Sequence, residues 1–483
     1  MTARIRIATG VCSALLLAAC ASPGGVAPRG RPVPTHELRA EKALADARLD
    51  HAAWPSTHWW SGFGDPQLVR LEGEALAGNP TLDLAQARLA QALALAGADR
   101  SALRPRIDGS LASTRQRLSE NDLVPPPLAG SWKTESRLAL DFRYELDLWG
   151  RNGAVLDAAL SRAEAARVDA FAARLMLSVA VARTYVELGR LYDRLDVATA
   201  TLEQRRRIYE LTRQRVAAGL DTRVELKQAE AALPATREDI AALEESVATT
   251  RNQLAALLGQ GPDRGLAITR PSLRQSAGAP ALPSRLPANL LGRRPDVAAG
   301  RWQVEAAAHD IDAAKARFYP NVNLLAFAGF QSLAASDFLE AGSRVAGVGP
   351  ALSLPLFDGG RLRSQLAGRD ADYDAAVARY NRTLVDALRD IGDRLASIRS
   401  VAAQTDEQRA ALAAAGEAYE LSLMRYREGV GAYLSVLSAQ TQVLAQQRLQ
   451  VDLRAREFDN RIDLVRALGG GFKDEPSLAR RPS

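Results

Sequence analysis

Side chains able to do covalent or metal chemistry are scarce in this chain. His36, His51, His58 and His309 show no metal-ligand spacing, and the two cysteines, Cys12 and Cys20, offer no ligand pair. Gly469-Gly470-Gly471 lacks the Lys-Ser/Thr that completes a phosphate-binding loop, and Glu244-Glu245 reads as an exposed helix pair rather than an acid–base dyad. Beyond residue 19 only Met176 and Met424 remain as thioethers, too few for a copper relay. These residues predict no catalysis, no metal site and no cofactor. Cys20 is the exception by position, because it ends the run Leu17-Ala18-Ala19-Cys20.

The elements around that run explain it. Arg4 and Arg6 precede an apolar stretch from Ile7 to Ala19, which is the order of a secretory signal and too short to span a bilayer. Cys12 lies inside the signal, so the mature chain keeps one cysteine and forms no disulfide. An ordinary signal peptide with an incidental cysteine has the same composition. Leu-Ala-Ala-Cys, however, resembles a bacterial lipoprotein processing site. That resemblance implies a diacylglycerol and an N-acyl (palmitate) chain on Cys20, and Ala21 rather than Asp after it implies sorting to the outer membrane.

The net charge is +6, or +4 without residues 1–19, and no basic cluster points to nucleic acid. Aromatic content is only 5%, against 47% hydrophobic, which suits long Ala/Leu helices. A repeat accounts for them. Arg151–Gly259 and Arg361–Gly469 run in parallel at a fixed offset, with Tyr209-Glu210-Leu211 returning as Tyr419-Glu420-Leu421. Each copy reads as a helix of about 68 residues, a turn at Gly219 or Gly429, and a returning helix of about 38. The first would be ~100 Å long. Thr222 and Glu225 have capping-box spacing. Gly429 and Gly431 read as a looser second tip, the one expected to move more. Pro234 is expected to bend its helix. Asp386, Arg389 and Asp390 read as a solvated face.

Between the helices the period changes to two. Leu138, Leu140, Phe142, Tyr144, Leu146 and Leu148 alternate with Ala139, Asp141, Arg143, Glu145 and Asp147, the pattern of a strand with one apolar and one charged face. Ile107–Leu118 is a weaker partner. Val322, Leu324, Ala326, Ala328 and Phe330, followed by Ala346 to Leu356, give the second copy its own hairpin. Strands of this length and patterning are those of a membrane barrel. Four strands cannot leave edges unpaired in lipid, nor close around an open interior. Two chains give a filled barrel of eight strands and three a water-holding one of twelve; the charged face favours three.

The organisation read from these features is a signal at 1–19, a lipidated tether at 20–58 and a first repeat at 59–259 with hairpin 106–148 and helical hairpin 151–259. A linker at 260–287 follows. The second repeat, 288–471, holds a helix at 295–318, a hairpin at 321–356 and a helical hairpin at 361–469. A disordered tail, 472–483, ends the chain. Trp54, Trp59, Trp60 and Phe63 are expected to pack on the body or at the interface.

Trp149-Gly150-Arg151, Phe357-Asp358-Gly359-Gly360-Arg361, and Arg293-Arg294-Pro295-Asp296 with Phe318-Tyr319-Pro320 make residues 55–471 resemble the TolC-like outer-membrane efflux family, in its OprM/NodT lipoprotein branch. The resemblance implies an α+β membrane protein. Its duplicated protomer would give four β-strands to a trimeric transmembrane barrel and long helices to a periplasmic helical barrel. It implies a passive exit duct of a tripartite pump in the outer membrane, a homotrimer working with a periplasmic adaptor and an inner-membrane transporter of the RND type. Adaptor contact would fall on the tips, Gly219, Leu220, Asp221 and Gly429, Val430, Gly431. The periplasmic aperture would involve Tyr433, Leu434, Ser435, Leu437 and Ser438. Relatives carry aspartates where Ser435 and Ser438 stand, so a neutral aperture with weaker cation selectivity is expected. Glu225, Lys227 and Glu230 nearby would restore some charge. A periplasmic coiled-coil scaffold, soluble apart from its lipid, is the other reading; it explains the helices but not the hairpins.

Overall fold

The computed structural model describes residues 27–34, 37–38, 49–50, 54–121, 123–274, 282–283 and 292–475. Cys20 lies outside them, as do residues 476–483 and most of the expected tether and of the linker beyond residue 274. Two short-range caps start the body. Asp65 accepts the Gln67 N–H ahead of Pro66 and opens α1 (Pro66–Gly78); Asn79 accepts the Thr81 N–H ahead of Pro80 and opens α2 (Pro80–Ser101).

Four strands follow the period-two stretches: β1 (Arg106–Arg117), β2 (Trp132–Leu146), β3 (Asn321–Ser332) and β4 (Arg344–Ser353), in the antiparallel order β1-β2-β3-β4. The register puts Phe142 between Ile107 and Ala326, and Leu138 between Leu111 and Phe330. The apolar positions of all four strands thus share one face, where Ile107 and Leu111 are 67% and 71% exposed. Apolar side chains left this open on a sheet belong against lipid. The β2 strand ends at Leu146 rather than Leu148, because Asp147 turns to accept the N–H groups of Asn152 and Gly153. Its other end runs back to Trp132, so the first hairpin overshoots the apolar band. The opposite face is charged only in the first copy, where Arg137 and Ser110 both bond Asp141; the second copy offers Asn323, Leu325, Phe327, Gly347, Gly349 and Gln331.

Two helical hairpins carry the length of the molecule: α3 (Arg151–Ala217) with α4 (Arg223–Leu257), and, after the short α5 (Pro262–Leu266) and α6 (Pro295–Ala316), α7 (Arg361–Arg427) with α8 (Tyr433–Ala467). The 67-residue helices are ~100 Å long; the returning helices have 35 residues each, three short of the expectation. The copies are offset by 210 from α3 onward and by 215 for α2 and α6, so the offset changes inside the hairpins. α6 packs on both α3 and α7, while α2 packs on α3 alone to any extent among the described residues. The main core gathers where the helices meet the N-terminal aromatics: Trp59, Trp60 and Phe63 are buried with Leu68, Leu71, Tyr185 and Phe458.

Three expectations need correction, and the linker gains a docking contact that the sequence left open. Asp390 is not solvated: it binds Arg466 at 2.8 Å and Arg294 at 3.4 Å, and Arg294 also donates to Asp296 and to the Ala467 carbonyl. The tail is ordered at its start, with Phe472 buried and Asp474 bound to Arg167 and Arg301. The linker's first half is docked: Ser272 donates its N–H to Asp65, and Arg270 pairs with Asp193. Gly431 is not there to loosen the second tip: a Cβ on it would stand 2.9 Å from the Tyr426 nitrogen, so glycine serves close approach.

Candidate functional site at the helical tips

Both turns close the same way. Gly219 and Gly429 take positive φ (77° and 79°), and the next residues, Leu220 and Val430, donate back to the Arg215 and Arg425 carbonyls at 2.9 and 3.0 Å. The first tip is then capped reciprocally: Val224 N–H donates to Thr222 Oγ1, and Thr222 N–H to Glu225 Oε2. Ala432 opens α8 without any side-chain cap.

The tips are tied to each other by a buried polar cluster. Arg215 reaches Asp221 with Nε at 2.8 Å and Nη2 at 3.3 Å, and its Nη1 donates to the Tyr426 carbonyl at 2.8 Å. Its guanidinium stands 4.5 Å over the Tyr426 ring. The Tyr426 hydroxyl donates to Asp221 Oδ2 at 2.6 Å and lies 2.9 Å from Thr212 Oγ1. Burial raises the Asp221 carboxyl, but hydrogen bonds from Arg215 and Tyr426 and the Arg215 charge outweigh it, leaving the group below its ordinary value. Burial and the Asp221 bond push the Tyr426 phenol up to about 12. The cluster is therefore an ionic lock held by neutral Tyr426. Ile208, Tyr419, Leu423, Tyr433 and Val436 pack around it.

A matching family model, described as outer membrane efflux protein, covers residues 71–260 and 286–470. The chain belongs to the outer membrane efflux protein family. It is 44% identical to the fusaric acid resistance protein FusA of Burkholderia cepacia, over 74% of this chain and 68% of that one. It is 30% identical to the multidrug resistance outer membrane protein MdtP of Escherichia coli, over 93% of each. Among solved structures, the outer membrane protein VceC of Vibrio cholerae aligns with a TM-score of 0.82 at 38% identity, over 87% of this chain and all of that one. The protein is an outer-membrane efflux channel, with its sheet in the membrane and its long helices in the periplasm. That removes the soluble scaffold reading.

Against this frame the predicted site residues separate. Leu220 and Val430 are open at the tip ends, whereas Asp221 is spent on the lock. Leu434, Ser435 and Ser438 lie on the exposed side of α8, and Leu437 is half-buried. Tyr433 does not join them: it is 4% exposed, its ring 6.0 Å from that of Tyr426, because the i, i+3 positions Tyr433 and Val436 turn into the tip core. Glu225 is held in the cap, where it keeps its negative charge, and Lys227 pairs with Glu230 at 2.6 Å. Sequence reasoning missed Arg215, Thr212 and Tyr426. The signal for the Asp221–Tyr426 contact was a break in the repeat, with Asp221 opposite Gly431 and Tyr426 opposite Val216, whereas Arg215 repeats as Arg425.

Proposed function

We propose that three copies close into one tube that serves as the passive exit duct of a tripartite pump, with a periplasmic adaptor at the tips and an RND-type transporter in the inner membrane. One observation carries this reading: two surfaces that the single chain leaves open have filled counterparts within it. β1 and β4 are unpaired at their outer edges, while β2 and β3 show the same kind of seam completed. α2 packs on α3 as α6 packs on α7, but it lacks the second partner that α6 finds in α3, the long helix of the other repeat. A further copy supplies both, and closure removes the strand edges that lipid does not tolerate. Three copies give a twelve-stranded barrel wide enough for water.

In this reading the protein does no chemistry and carries no cofactor beyond acyl chains on Cys20, and the opening at Leu434, Ser435 and Ser438 is the narrow point. Serines there do not repel carboxylates as aspartates would. Small organic acids, the class of the compound in the name of the fusaric acid resistance relative, are therefore the first cargo to test. Native mass in detergent tests the assembly: a lipidated trimer migrating as one heat-modifiable species supports it, and a monomer after delipidation overturns it. Capture of a co-expressed adaptor by wild type but not by Leu220→Asp with Val430→Asp tests the docking tips.

A further inference from the structure

We infer that the segment Arg29–Val33 is a strap clamped between its own α7 and the α2 helix of a neighbouring copy, so that the lipid anchor and the subunit joint are one device. One wall is visible. The N–H groups of Arg29 and Gly30 both donate to Asp374 Oδ1, at 2.9 and 2.6 Å. The Val33 N–H donates to Asn381 Oδ1 at 2.9 Å, and Asn381 Nδ2 donates to the Arg31 carbonyl at 3.0 Å. Gly30 lies so near α7 that a Cβ would stand 3.0 Å from Asp374 Oδ1 and 3.2 Å from Val377 Cβ. Leu38 and Trp54 continue along α7, packing beside Leu384 and Ile391.

The second wall follows from the repeat. The α3 counterpart of Asp374–Asn381 is Glu164–Phe171. That stretch holds the other end of the chain. Phe472 packs on Phe171 with ring centroids 4.9 Å apart, and Asp474 binds Arg167 and Arg301. There the groove has two walls, α3 on one side and Arg301 and Trp302 of α6 on the other. The α2 counterparts of Ala299, Arg301 and Trp302 are Leu84, Gln86 and Ala87, and all three are exposed. Completing the ring lays a neighbour's α2 on α7, over Arg29–Val33. Ala87 in place of Trp302 leaves the width of an indole for an extended backbone.

The dimensions agree. Asp374 lies ~20 Å along α7 from its start at the foot of the sheet, and the nine residues back to Cys20 span up to ~30 Å. An acyl chain on Cys20 thus reaches the membrane with the strap in place.

This inference rests on the ring proposed above, and the test separates the two. In full-length lipidated protein, Arg31→Cys with Gln86→Cys is oxidised in parallel with a seam pair, Thr114→Cys with Gly349→Cys. Covalent dimers and trimers from both pairs are expected. Cross-linking between copies at the seam alone overturns the strap and leaves the ring; failure of both, with a monomeric mass, overturns both. Trypsin cleavage after Arg29 should be about tenfold faster in Asp374→Ala with Asn381→Ala than in wild type; equal rates overturn the docking on α7.

Discussion

The hydroxyl of Tyr426 donates a 2.6 Å hydrogen bond to Asp221, joining the two helical tips across 205 residues of sequence. Arg215 completes the contact by pairing with Asp221 and capping the Tyr426 carbonyl. Tyr426 is fully buried, so this lock is shielded from water and salt.

Removing its members should free the tips in order of charge lost. Tyr426→Phe deletes one charge-assisted hydrogen bond, worth about 1.5–3 kcal/mol. Asp221→Ala leaves the Arg215 guanidinium buried and uncompensated, at a cost of about 3–5 kcal/mol. Single-channel conductance in planar bilayers should rise for Tyr426→Phe and rise further for Asp221→Ala. An Asp221→Ala channel that conducts like wild type would show that the lock does not hold the tip closed. The folded Asp221 value is depressed, so its contribution is present above the ordinary carboxylate value of 3.8 and is lost only as pH falls through the lower folded value. Conductance through neutral pH should therefore not depend on this group.

At the proposed aperture, Ser438→Asp should shift the reversal potential in a salt gradient toward cation selectivity, since a carboxylate ring would replace a neutral one. Ser435→Asp should act in the same direction. If Ser438→Asp leaves the reversal potential where it was, Ser438 does not face the pore.

Glu72 is a separate test of burial. It is fully enclosed on α1, and neither carboxylate oxygen has a hydrogen-bond partner. Burial raises its pKa to about 8, with the nearby Ser178 hydroxyl and Arg174 charge pulling it only partly back. The folded carboxyl is thus neutral at pH 7 while the unfolded one is ionised. Stability from this residue falls as pH rises from 4.5 toward 8 and is then level. Glu72→Gln should stabilise the protein at pH 7 by up to about 3 kcal/mol and flatten the dependence of Tm on pH. A variant melting below wild type at pH 8 would mean that the charged form has a partner.

The barrel seam makes a geometric prediction. In the proposed ring, carrying the β2–β3 register over to β4 and the neighbour's β1 places Gly349 opposite Thr114, both on the face away from lipid. Gly349→Cys with Thr114→Cys should cross-link between copies, while Gly349→Cys with Ser113→Cys, which points to lipid, should not. The reverse result would mean a seam shifted by one residue.

Much of this protein is legible without coordinates because its elements are set by local rules. A period of two marks Leu138–Leu146 as a strand, Asp65-Pro66 and Asn79-Pro80 open α1 and α2, and the repeat announces two equal hairpins. Pairing at long range is not local. Nothing near Asp221 in the chain names Tyr426, nothing near Asp390 names Arg294, and nothing near Asp374 names Gly30. Tyr433 makes the same point: its neighbours Leu434 and Ser435 face outward, and only the packing of α8 against the lock turned it in. Secondary structure, the duplication and the membrane-facing stripe all follow from the order of residue types along the chain. The tertiary structure alone decided which charges are buried together, because that depends on which helices meet.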